Sequence, residues 1–186
     1  MKSALIVIDV QQSFTRRPYW QNMDVAAFNA NLQHVIDACV AKSMPIVQIF
    51  HVDETGGAAN PFSLASGLVQ TLPGITIAPD IVFHKTVHSS LFGKDAGGQT
   101  LQAWLAANGI GEVLITGIRT EQCCETTTRH ASDLGYQVRF VTDATLTFPM
   151  THTSGRQYSA QEIRERTELV LAGRFAKIVS AQAAFA

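Results

Sequence analysis

The sequence predicts an α/β protein: a three-layer, doubly wound fold around a central, mostly parallel sheet of six strands. Two observations carry this expectation. Six short apolar runs rich in Val and Ile recur along the chain, as strands buried on both faces do. Between most of them lie segments whose apolar residues recur at helical spacing. Strands alternating with helices build right-handed crossovers, hence a parallel sheet covered on both sides.

The elements follow in order. Ala4 to Ile8 is the first strand, ending abruptly at Asp9, and Val25, Phe28, Leu32, Val35, Ile36, Cys39 and Val40 mark the first helix. Ile46 to Phe50 is the second strand. The segment from Asp53 to Pro79 breaks the rhythm, being rich in Gly, Ala, Ser, Asn and Pro and longer than an ordinary connection. Loops of that length in compact domains are usually functional, so this one is expected to cover a site or reach a neighbouring subunit. Ile81 to Phe83 is the third strand, leading into His84-Lys85, and Leu101, Trp104 and Leu105 mark the next helix. Val113 to Thr116 runs into Gly117-Ile118-Arg119-Thr120 and then a helix carrying Cys123, with Thr120 its expected N-cap. Val138 to Val141 is the fifth strand. Ser159-Ala-Gln-Glu162 opens the last helix as a capping box, Gly173 closes it, and Lys177 to Ser180 is the sixth strand.

A chain of 186 residues suffices for one domain, residues 1–186, with a full core. An apolar fraction of 46% against 16% charged suits a packed globular enzyme with some surface covered by a partner subunit. The net charge of −1 and the lack of any Lys/Arg run remove the footprint of a nucleic-acid or anionic-membrane binder, leaving a small-molecule substrate. No apolar run is long enough for a signal-peptide core or a membrane span. Cys39, Cys123 and Cys124 are odd in number and lack metal-finger spacing, so no disulfide framework is indicated and a reducing cytoplasm is the simplest setting.

Ligands of an open parallel sheet bind at the carboxyl ends of its strands. Those ends carry a carboxylate at Asp9, an amine at Lys85 and a thiol at Cys123, all on one rim. Each alone has an ordinary reading: a loop-capping Asp, a solvated Lys, a small buried Cys. Together they read as catalytic. Cys123 in a first helical turn, near a lysine, is expected to favour the thiolate. Cys124 points about 100° away around that helix and is expected to pack, as is Cys39.

Three blocks, ALIVIDVQQSF, VFHKTVHSSLFG and TGIRTEQCCETTTRHASDLGYQVRFVTDA, resemble the signature blocks of the isochorismatase-like cysteine hydrolases, which include nicotinamidases and N-carbamoylsarcosine amidase. The resemblance runs from the first strand to Asp143. It implies that Asp9 is the acid/base, Lys85 the accompanying lysine and Cys123 the nucleophile. It places a non-proline cis peptide between Ile118 and Arg119, which lets the Arg119 N–H join that of Cys123 in an oxyanion hole. It implies a homo-oligomer, dimer or tetramer, that hydrolyses a C–N bond of a small amide or ureido compound through a Cys acyl-enzyme. The alternatives are a vinyl-ether hydrolase using Asp9 as acid, and a non-catalytic assembly or binding module. No GxGxxG or GxxxxGK[ST] pattern supports a nucleotide binder.

His51, Asp53, His84 and His88 lie near strand ends, but His51-Val-Asp53 reverses the Asp-x-His of the metal-bearing nicotinamidases. Neither a metal nor another cofactor is therefore expected. Arg119 stands where the family commonly has a small residue and is either solvated or a two-pronged partner for a substrate carboxylate. Phe14, Trp20 and Phe92 are candidates for lining the substrate pocket, with core or subunit packing the competing reading.

Overall fold

The computed structural model describes residues 1–185. Strands β1 (Lys2–Ile8), β2 (Ile46–His51), β3 (Ile81–Lys85), β4 (Ile110–Ile118) and β5 (Gln137–Leu146) are followed by a two-stranded antiparallel ribbon, β6 (Met150–Thr151) and β7 (Gln157–Tyr158), and by β8 (Lys177–Val179). All but the ribbon form one sheet in the order β3-β2-β1-β4-β5-β8, with every neighbouring pair parallel. The helices are α1 (Val25–Ala41), α2 (Leu101–Ala107), α3 (Glu125–Asp133) and α4 (Ala160–Leu171). The winding reverses between β1 and β4. At such a switch point the connections leave in opposite directions and open a crevice beyond the carboxyl ends of the two strands.

Strand alternation splits the core into two layers. Leu5 and Val7 of β1 pack with Phe28, Leu32, Val35 and Ile36 of α1 on one face. Ala4, Ile6 and Ile8 pack on the other with Leu101 and Leu105 of α2, Ala131 of α3 and Leu171 of α4. Successive side chains point to opposite faces, so a continuous apolar run is what a doubly covered strand requires.

Several elements differ from the sequence expectation. β4 and β5 extend well beyond Val113–Thr116 and Val138–Val141, because their pairing resumes past an irregularity, with Gly117 against Thr145 and Ile118 against Leu146, and because Glu112 at the start of β4 is paired across the sheet, 2.9 Å from Arg139 Nε. β8 stops at Val179, and α4 ends at Leu171, before Gly173. The β6–β7 ribbon has two residues per strand, too few to show a period.

The Asp53–Pro79 loop contains no strand or α-helix, only single 3₁₀ turns at Gly57–Ala59 and Leu64–Ser66. It is nevertheless anchored, by buried Phe62 and Leu72 and by backbone bonds from Gln12 to Gln70, from Ser13 to Leu68 and from Leu72 to Val10. Those bonds lay the loop over the segment that follows β1.

Thr120 does not cap a helix. Its N-cap position is taken by Arg119, which precedes a π-helical turn, Thr120–Cys124, and the Cys124 N–H reaches back to the Arg119 carbonyl. The Thr145 hydroxyl donates to the Thr142 carbonyl, so the Thr120 hydroxyl, 2.8 Å away, donates to Thr145. A buried hydroxyl on this strand–helix corner finds its partner in β5 and not in the next turn.

Candidate active site

Asp9 follows β1 directly and sits in the left-handed region, φ 53°. That conformation is uncommon outside glycine but tolerated by Asp. Its N–H donates to the Ile49 carbonyl and its own carbonyl accepts from the Gln11 N–H, which hold the turn. Alongside, Gly117 at φ 122° lets β4 close on β1, since a Cβ there would lie 2.0 Å from the Ile8 carbonyl oxygen. The Ile118–Arg119 peptide is cis.

Lys85 joins the two sides of the switch point. Its Nζ lies 2.7 Å from Asp9 Oδ2, 3.4 Å from Cys123 Sγ and 3.2 Å from His51 Nδ1. The side chains of Asp9 and Lys85 are fully buried. Lys85 meets Oδ2 as an ion pair, and neither carboxylate oxygen has a hydrogen-bond donor among the described residues. Lone pairs of Asp9 are thus left to take a proton.

Burial pulls the Lys85 pKa down, but the adjacent Asp9 carboxylate and Cys123 sulfur outweigh it, and the net shift is upward. A charged Lys85 has no lone pair, so His51 Nδ1 must accept from it. Burial, and then Lys85 itself, lowers the His51 pKa and keeps the ring neutral. The ring proton is therefore on Nε2, which has no acceptor among the described residues.

Cys123 behaves differently from the activated thiolate expected from its place near a helix start. Burial, reinforced by the Asp9 charge, pushes its thiol up to about 12, and Lys85 offsets only part of this. The resting group is a thiol. Cys124 and Cys39 are fully buried in opposite core layers, and burial raises both thiols.

A cavity of about 180 Å³ opens onto these groups. Asp9, Cys123 and His51 border it, with Phe14, Tyr19 and Phe62 as aromatic neighbours. Arg17, Asp53, His88 and Gln122 complete its boundary. A larger hollow of about 860 Å³ beside Met150 and Leu169 holds none of the three signature residues, and one of about 620 Å³ reaches Lys85 from its other side but neither Asp9 nor Cys123.

Of the aromatic candidates, Phe14 lines this cavity. Trp20 instead packs on Phe148, 5.1 Å between ring centres, and its indole N–H donates to Asn22. Phe92 is 58% exposed, stacks on His130 and borders a separate surface hollow. The Arg119 side chain does not border the cavity. It forms a buried ion pair with Glu121, at 2.8 Å, and lies against the Tyr19 ring, because Glu121 is two residues away on the same turn. The sequence reading passed over Arg17, Tyr19, Phe62 and Gln122; only the proximity of the first two to ALIVIDVQQSF, and of Gln122 to Cys123, hinted at them. Among the described residues no group of three or more His, Cys, Asp or Glu side chains is arranged to hold a metal ion.

A doubly wound parallel sheet with a carboxylate, an ammonium and a thiol gathered beneath a cavity at its switch point defines an α/β enzyme. The Isochorismatase domain family matches residues 3–182, and the chain belongs to that family of hydrolases. It is 31% identical to Nicotinamidase 3 of Arabidopsis thaliana, over 95% of this chain and 84% of that protein. It is 29% identical to the ureidoacrylate amidohydrolase of Variovorax paradoxus, over 77% and 68%. The crystal structure of an isochorismatase from Pseudomonas putida superposes with a TM-score of 0.80 at 26% identity, covering 97% of this chain and 88% of that one.

Proposed function

We propose that the protein hydrolyses a C–N bond of a small amide or ureido compound through a covalent Cys123 acyl-enzyme. The observation that carries this reading is Lys85, placed 2.7 Å from Asp9 and 3.4 Å from Cys123, the two residues of the three that border a small cavity. Nicotinamidase and ureidoacrylate amidohydrolase relatives, whose names denote amide-type hydrolysis, support the choice of bond.

A thiol at about 12 is ionised to on the order of one part in 10⁵ at pH 7, so thiolate must form as it attacks. Asp9 takes the thiol proton while Sγ bonds to the carbonyl carbon. The N–H groups of Arg119 and Cys123 hold the developing oxyanion. Asp9 returns the proton to the leaving nitrogen, the C–N bond breaks and the amine departs. Water then gives a proton to Asp9 and attacks the thioester; the C–S bond breaks, and Asp9 reprotonates the sulfur. Lys85 stays charged throughout and stabilises the negative charge as it passes between Asp9 and the sulfur.

Intact-mass measurement during turnover of a slow amide tests this, with an adduct equal to the acyl group expected on the wild type and none on Cys123→Ala. Cys123→Ala is expected to lose about 10⁴-fold or more in kcat. Full retention of amidase activity in that variant rules out the nucleophile, whereas vinyl-ether cleavage that survives it would indicate acid catalysis by Asp9.

A further inference from the structure

We infer that the substrate carries a carboxylate and that Arg17 recognises it, an inference that rests on the acyl-enzyme reading only for the chemistry at the molecule's other end. Arg17 is the one arginine that borders the cavity. Arg119, Arg129, Arg139, Arg156, Arg164 and Arg166 each lie within 4 Å of a carboxylate. Arg17, like Arg16 and Arg174, has no such partner among the described residues, and it alone of the three borders the cavity.

Its guanidinium is nevertheless held in place, 4.6 Å over the Phe62 ring. Phe62 is fixed in turn by edge contacts with Phe14, at 5.0 Å, and His51, at 5.9 Å. A planar fork stacked on an aromatic face keeps its edge N–H groups free and oriented, which suits two-pronged binding of a carboxylate. The His51 Nε2–H, its position fixed by Lys85, supplies a second donor at the same cavity.

The acidic groups at the cavity do not supply Arg17 with a counter-charge. Asp9 is committed to Lys85, and the Asp53 carboxylate accepts from the Thr55 N–H within its own turn. The volume, about 180 Å³, is that of about six water molecules and restricts the ligand to a short chain. An amide at Cys123 and a carboxylate at Arg17 are the two ends of a small amidated or carbamoylated acid. Arg119, which the sequence suggested for this role, is already neutralised by Glu121.

The test compares kcat/KM for succinamate and N-carbamoylglycine with that for succinamide and N-carbamoylglycinamide. The wild type is expected to favour the acids by about tenfold or more, the scale of a charge-assisted hydrogen bond. Arg17→Gln should collapse that ratio through a raised KM for the acids, and Arg17→Lys should restore part of it. Equal use of acid and neutral compounds by the wild type, or a ratio unchanged in Arg17→Gln, overturns the assignment. If no amide is hydrolysed, the acyl-enzyme reading fails by itself, and calorimetry with succinate decides the site separately. Saturable binding weakened about tenfold in Arg17→Gln supports it; no binding to the wild type, or equal binding to both, refutes it.

Discussion

Lys85 Nζ lies within 3.4 Å of three neighbours, Asp9 as an ion pair and Cys123 and His51 as hydrogen-bond partners, so the whole ammonium is committed to the site. Removing one member of a buried ion pair strands the other charge, so Lys85→Met is expected to cost about 3–5 kcal/mol, read by denaturant unfolding. The double variant Asp9→Asn/Lys85→Met should recover most of that stability while remaining inactive. Recovery of activity with stability would remove both residues from the chemistry. Gly117 is as constrained for a steric reason: Gly117→Ala puts a methyl 2.0 Å from the Ile8 carbonyl oxygen, forces β1 and β4 apart and should cost about 3–5 kcal/mol. A melting curve matching the wild type would contradict this. The buried Cys123 thiol leads to a kinetic expectation. Its alkylation by iodoacetamide should be slow at pH 7 and rise about tenfold per pH unit, as the thiolate fraction does. A rate that is fast and flat between pH 6 and 8 would show a resting thiolate instead.

At the level of elements, what is local in sequence was legible and what is assembled across strands was not. The capping box of α4 is complete, with Ser159 Oγ accepting from the Glu162 N–H and the Glu162 carboxylate from the Ser159 N–H. Ser159→Ala should cost about 1 kcal/mol and lower Tm by about 2–4 °C, measured by scanning calorimetry. No change would mean that packing alone fixes where α4 begins. By contrast, Thr120 has the residue type of a cap yet spends its hydroxyl on Thr145, 25 positions away. The π-helical turn that presents Cys123 arises at a junction between β4 and α3, where helical period gives no warning. The long Asp53–Pro79 loop was recognisable as unusual, and its expected cover over the site takes a specific form, with Asp53 and Phe62 bordering the cavity.

For the whole molecule, burial of thiols sets the response to alkali. Cys39 and Cys123 are each raised from 9.0 to about 12, Cys124 is raised well above 9.0, and Lys85 is also raised. A group whose pKa is higher folded than unfolded contributes stability that is complete below the unfolded value and disappears as pH climbs through the folded value. Stability should therefore hold up to about pH 9 and then fall by as much as about 1.4 kcal/mol per pH unit for each buried thiol. Denaturant melts between pH 7 and 11 check this; a flat profile would mean that the thiols ionise freely in the folded state. The sequence by itself determined the alternation of strands and helices, the two-sided burial of the sheet and the rim on which Asp9, Lys85 and Cys123 fall, because apolar periodicity and residue type are properties of neighbours along the chain. Only the tertiary structure decided that Arg119 is spent on Glu121, that Trp20 and Phe92 stand away from the cavity, and that Arg17 is left facing it on Phe62. Those outcomes depend on which side chains from distant segments meet at the β1–β4 switch point and on which charges find partners there.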